Sequence, residues 1–167
     1  MAQQQITVRR ARPSDASRIA AFINRLLGKA RIDDFTIIKS FGDEGFLVAE
    51  RSGDLAGILG WRAENLVVQV THLLIWPASE YVTVGPALFS EMEQEAATLQ
   101  CEAALLVPPR SSFSPRQIEF FGGLGYMPQV VASLPKAWRE AAREAKLDDD
   151  EPVLMKQLRQ DRVLRPI

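Results

Sequence analysis

The sequence predicts an α/β fold of the α+β kind, with a mixed central sheet of six to seven strands flanked by helices. Three observations predict it. The stretch from Phe46 to Trp76 reads as a three-stranded antiparallel meander. A helical repeat then separates that meander from the apolar run Ala103-Ala104-Leu105-Leu106-Val107, so a crossover helix connects two central strands. A strand followed by an amphipathic helix precedes both.

Ile6 to Arg10 alternates apolar and polar residues like a half-buried strand, and Arg12-Pro13-Ser14-Asp15 supplies a turn with a helix cap. Ile19, Ala20, Phe22, Ile23, Leu26 and Leu27 recur at helical spacing, which predicts a helix from about Asp15 to Leu27 stopped by Gly28. A shorter helix is expected at Asp33 to Phe41, against the β-branched residues within it. Phe46 to Glu50 and Leu55 to Trp61 flank the turn Ser52-Gly53-Asp54 as a hairpin, and Asn65 to Trp76 is the third strand, closed by Pro77. Ala87, Leu88, Met92, Ala96 and Leu99 mark the buried face of a helix from about Gly85 to Gln100. The Ala103 run lacks alternation, as expected of a strand buried on both faces. Ser114-Pro115 starts a short helix that ends in the glycines before Tyr126. Gln129 to Leu134 and Pro152 to Leu158 are the last strands, separated by a helix over Pro135 to Leu147 and by the acidic run Asp148 to Glu151, read as a solvated loop.

Composition restricts the function classes. A chain of 167 residues supports one hydrophobic core, and 47% hydrophobic with 25% charged residues is ordinary globular composition. Twenty Lys plus Arg against 21 Asp plus Glu give a net charge of −1, so no global field draws the chain to nucleic acid. The basic residues Arg139, Arg143, Lys146, Arg159, Arg162 and Arg165 have acidic neighbours and read as ordinary surface charge. One cysteine, Cys101, and one histidine, His72, exclude an internal disulfide and a Cys/His zinc cluster. The start Met1 to Gln5 lacks a basic segment followed by an apolar one, and no window approaches the roughly 18 apolar residues that span a bilayer. Neither secretion nor membrane insertion is expected, and the expected location is the cytoplasm.

The order of elements, with Leu73-Leu74-Ile75-Trp76-Pro77 and Phe120-Phe121-Gly122-Gly123-Leu124-Gly125-Tyr126, resembles the GCN5-related N-acetyltransferase (GNAT) superfamily along roughly Ile6 to Leu158. The resemblance implies a single domain over residues 1–158 with a tail over 159–167. It also implies an acyltransferase that moves an acetyl or other acyl group from acyl-CoA to an amine carried by a small molecule or a protein. In such enzymes a splayed fourth strand lends backbone groups to the pantetheine arm of acetyl-CoA, which puts Leu73 and Ile75 at the cofactor. The next helix amino terminus holds the pyrophosphate, which puts the amides near Val84, Gly85 and Ala87 there.

Several residues depart from the family pattern. The register set by Leu73 to Pro77 places Glu80, Thr83 and Gly85 on the three marked positions of the phosphate loop, and only Gly85 matches. Glu80 would repel phosphates, Thr83 adds a branched side chain, and Pro86 has no N–H to donate. Phe121 stands where many relatives carry an acidic tyrosine, which leaves Tyr126 as the candidate acid. His72, on the fourth strand, is the candidate base because imidazole titrates near neutrality. Relatives usually carry that group one residue earlier, at Thr71, and one residue along a strand reverses the face. Glu64 and Glu50 are further candidates, each also readable as a surface carboxylate. These departures keep a second reading open, a catalytically inactive binding or protein-interaction module on the same fold. The helix over 135–147, with the tail, is expected to cover the groove or to join a homodimer contact.

Overall fold

The computed structural model describes residues 5–28, 32–108 and 112–159. They form a seven-stranded mixed sheet in the order β1-β2-β3-β4-β5-β7-β6, as the alternation of strand and helix patterns predicts. The residues group into two compact units, one of Met1–Arg62 with Thr71–Met92 and one of Ala63–Val70 with Glu93–Ile167.

In the first unit β1 (Ile6–Arg10) pairs antiparallel with β2 (Gly45–Arg51), which pairs antiparallel with β3 (Asp54–Glu64). The turn between β2 and β3 is Ser52-Gly53, both at positive φ, as a two-residue hairpin loop requires. Helices α1 (Ala16–Leu27) and α2 (Asp34–Ser40) bury Ile19, Phe22, Ile23 and Ile37 with Phe46, Val48 and Ile58 of the sheet. Asp33 caps α2 by accepting from the Thr36 amide at 2.9 Å. Asp15, at the start of α1, accepts the Arg12 amide at 2.7 Å and both terminal nitrogens of Arg9 at 2.8 and 2.9 Å. That guanidinium fork holds the Asp15 carboxyl down at about 2.

Helix α3 (Tyr81–Thr98) begins four residues before the expected Gly85, after a 3-10 turn over Ala78–Glu80. Val84 and Leu88 are fully buried and reach the open position at Gly57 of β3, so packing outweighs the poor helix propensity of Val82, Thr83 and Val84. Pro86 therefore sits inside the helix.

In the second unit the first half of β4 (Val67–Ile75) pairs parallel with β5 (Ala103–Leu106), from Val67↔Ala103 to Val70↔Leu106. Strand β7 (Pro152–Gln157) pairs antiparallel with β5 and with β6 (Met127–Val130). Strand β4 starts at Val67 and not at Asn65, because Asn65 and Leu66 both take positive φ in the turn from β3. Strand β6 is earlier than expected, and Val131–Ser133 is a 3-10 turn.

Helix α4 (Pro115–Gly123) opens on a capping box of Ser114 and Gln117. It closes with the Tyr126 amide on the Phe121 carbonyl and the Gly125 amide on the Gly122 carbonyl, each at 3.0 Å. Gly125 has φ +97°, which this Schellman closure needs, so the Gly-Tyr pair is a helix stop followed by a buried ring.

Helix α5 (Lys136–Glu144) buries Trp138, Ala141 and Ala142 among Val67, Ala103, Leu105, Val153 and Met155 of its own unit. Trp138 donates its indole N–H to the buried Glu102 carboxylate at 3.1 Å. The apolar face expected to cover a groove or meet a second copy is thus part of this core. Of the tail, only Arg159 lies within the described residues.

Candidate active site

Both polar residues of the second half of β4 converge on one carboxylate. Glu44 follows the turn after α2, where its amide donates to the Ser40 carbonyl at 3.0 Å, and directly precedes β2. Its Oε2 accepts the Thr71 hydroxyl at 2.9 Å and lies 3.2 Å from His72 Nδ1, while Oε1 lies 3.4 Å from Arg62 Nη2. The imidazole stacks on Phe46 with centroids 6.0 Å apart and planes at 27°. The Glu44 side chain is 13% exposed and that of His72 54%, so the carboxylate is sheltered and the imidazole is open to solvent.

Adjacent strand residues were expected to face opposite ways, yet Thr71 and His72 meet at the same point. Gly60 of β3 makes this possible, since a Cβ there would lie 2.9 Å from Thr71 Oγ1 and 3.0 Å from His72 Nδ1. Glu44 has no motif spacing and stands in a turn, so nothing in the sequence marks it. The other carboxylates considered are engaged elsewhere, Glu50 with Arg9 at 2.9 Å and Arg18 at 3.1 Å, and Glu64 with Glu144.

The start of α3 differs from the expectation in two ways. Glu80 is paired with Arg51, whose Nη2 lies 2.7 Å from Oε2, so its charge is answered within the protein. Because the helix starts at Tyr81, the amides of Gly85 and Ala87 lie beyond its first turn, within the helix's own hydrogen-bond ladder. Val84 and Gly85 are buried and Ala87 is half-buried. At the amino-terminal end of the helix the Glu80 amide is donated to the Pro77 carbonyl at 2.9 Å and that of Tyr81 to the Ala78 carbonyl, which among the described residues leaves the amides of Val82 and Thr83 as those without an intrahelical acceptor. On β4, Leu73 is half-buried and Ile75 is buried. The strand continues from Thr71 to Ile75 beyond Val70, which makes the last pairing with β5, at Leu106.

No protein-family model and no curated protein sequence matches the chain. Solved structures do. An N-acetylglutamate synthase from Neisseria gonorrhoeae complexed with coenzyme A and N-acetyl-glutamate matches 95% of this chain with TM-score 0.67 at 18% identity. An acetyltransferase of the GNAT family from Staphylococcus aureus Mu50 matches 93% with TM-score 0.66 at 14% identity. The fold is that of the GNAT acetyltransferases. A PaiA N-acetyltransferase from Thermoplasma acidophilum in complex with coenzyme A shares this GNAT fold over 92% of the chain, with TM-score 0.63 at 13% identity. The chain spans 36% of the N-acetylglutamate synthase, against 100% and 99% of the other two.

Within the GNAT fold, the late aromatic segment has an interior position. Tyr126 is fully buried and donates its hydroxyl to Glu93 Oε1 at 3.0 Å. Lys156 Nζ binds both Glu93 oxygens, at 2.9 and 3.0 Å, and lies 5.8 Å from the centre of the Tyr126 ring. Burial first, and then the Glu93 charge, raise the phenol's pKa well above its ordinary value. Phe121 is buried against Phe120 and Phe113, with centroids 5.2 and 6.3 Å apart. Cys101 is buried and its thiol is pushed up by desolvation, which suits a packed side chain better than a nucleophile.

Proposed function

We propose that the chain is an N-acyltransferase that transfers an acetyl or other acyl group from acyl-CoA to an amine, with His72 as the base. The observation that carries this reading is the solvent-open imidazole on β4, held beside the sheltered carboxylate of Glu44. Its fold neighbours include enzymes bound to coenzyme A, which supports acyl-CoA as the co-substrate. A substrate ammonium gives its proton to the imidazole, and the free amine attacks the thioester carbonyl. The C–N bond forms, the C–S bond breaks, and the departing thiolate takes its proton from solvent, since the Tyr126 hydroxyl is held by Glu93. The backbone of Leu73 and Ile75 supports the pantetheine arm, and the start of α3, with Val84, Gly85 and Ala87 behind it, supports the phosphates. We assign residues 1–158 to a single catalytic domain, working in the cytoplasm on a small-molecule or protein amine.

A second reading, a catalytically inactive GNAT-fold module that binds a protein partner or a second copy, is favoured by Pro86 inside α3 and by the missing hydroxyl at Phe121. Calorimetric titration with acetyl-CoA and with free CoA near neutral pH separates the two. Heat of binding together with amine-dependent release of CoA thiol is expected. No heat and no thermal shift at millimolar ligand sinks the enzyme.

A further inference from the structure

We infer that Glu44 is a positioning residue that fixes His72 in the tautomer protonated at Nδ1, presenting Nε2 as the proton acceptor for the amine. This inference rests on the acyltransferase reading above.

The argument is one of donors and acceptors. His72 Nδ1 has two oxygens at hydrogen-bond distance, Glu44 Oε2 and Thr71 Oγ1, each at 3.2 Å. The Thr71 hydroxyl has one proton, and it is donated to the same Glu44 oxygen at 2.9 Å. Among the described residues no donor therefore faces Nδ1. An unprotonated Nδ1 would place its lone pair against a carboxylate, whereas a protonated Nδ1 satisfies both oxygens. Neutral His72 then carries its proton on Nδ1 and its lone pair on Nε2. Phe46 stacks on the ring, and the absent side chain at Gly60 leaves the space in which it sits. Arg62 on Oε1 holds the far side of the carboxylate. When Nε2 takes a proton from R–NH3+, the resulting imidazolium keeps its Nδ1–H on Glu44, and the proton on Nε2 later returns to water. The amine loses its second proton on forming the amide, and the CoA thiolate takes up one.

His72 is the chain's single histidine, so long-range 1H–15N spectra of the full 15N-labelled chain report its tautomer without assignment. At alkaline pH the wild type is expected to show the Nδ1–H form, and E44A to lose it. An Nε2–H wild type overturns the proposal, as does an E44A spectrum identical to the wild type. Should E44A not fold, E44Q is expected to mix the two tautomers, because a carboxamide can face Nδ1 with either its oxygen or its N–H; an unmixed spectrum overturns the proposal. Release of CoA thiol from acetyl-CoA with a panel of primary amines tests the underlying reading separately. H72Q is expected to lose about 10²-fold or more in kcat, and E44A a large part of that with the KM for acetyl-CoA unchanged. If H72Q turns over like the wild type, the base assignment falls whatever the spectra show. If H72Q is slow and E44A is not, the positioning role alone falls.

Discussion

At the scale of the residue, the sequence identified chemistry-bearing side chains better than it identified their partners. His72 stood out because it combines a place on the fourth strand with a side chain that titrates near neutrality, and it is found on β4 as expected. Its partner Glu44 was illegible, since a turn carboxylate 28 positions away in sequence has no periodicity to betray it. In the sequence Glu80 carries an unanswered charge, because Arg51, which pairs with it, reaches it only through the fold. Tyr126 supplies a direct prediction. Y126F removes one hydrogen bond to Glu93 while Lys156 stays, so it should cost about 1–2 kcal/mol in denaturant unfolding and leave kcat for CoA release intact. A kcat loss beyond the stability loss would return the phenol to catalysis. Asp15 supplies another. Its folded pKa is depressed from 3.8 to about 2, so its contribution is present above pH 4 and disappears as pH falls through the folded value. The stability gap between wild type and D15N should be roughly 2 kcal/mol at neutral pH and close between about pH 4 and pH 2 in urea titrations.

At the scale of the element, helix existence was legible, and helix ends were legible where a glycine or a capping side chain marks them, as at Gly28 and Ser114, but not elsewhere. Helix α3 closes with the Cys101 amide on the Ala96 carbonyl at 2.9 Å and the Gln100 amide on the Ala97 carbonyl at 3.0 Å. Helix α5 repeats the motif, with Leu147 on Ala142 at 3.2 Å and Lys146 on Arg143 at 2.9 Å. The left-handed residues are Gln100 and Lys146, at φ 61° and 63°, where glycine would have marked the stop. In both helices the apolar spacing accordingly runs past the end that the backbone adopts, at Thr98 and at Glu144. The turn at Asn65-Leu66 hid the start of β4 for the same reason. Lys146 is exposed, so K146G should relieve about 1–2 kcal/mol of left-handed strain against about 0.5–1 kcal/mol of added unfolded-state entropy. A net gain of about 0.5–1 kcal/mol in chemical denaturation is expected; a loss would mean that the Lys146 stem packs on α5.

At the scale of the whole molecule, the order of elements was legible because each period is a burial statement. The unalternating Ala103 run is the interior strand β5, paired on both sides, and the amphipathic repeats are the helices that cover the sheet. Where the start of α3 was misplaced, burial of Val84 and Leu88 had overridden local propensity, which no window of sequence reports. Acetyl-CoA at about 100 times its Kd should stabilise the chain by about 2.7 kcal/mol, a rise of about 5–10 °C in Tm by scanning fluorimetry. Free CoA should give a similar shift, and adenosine alone should give less.

The order of the sheet also bears on how the chain behaves in a crowded solution. Among the described residues its outermost strands are β1 and β6, each paired on one side. Strand β1 is five residues long and carries Arg9 and Arg10, and β6 is four residues long and contains Pro128, which has no amide hydrogen. Neither border offers a long, flat, uncharged ladder on which another polypeptide could template itself into a fibril.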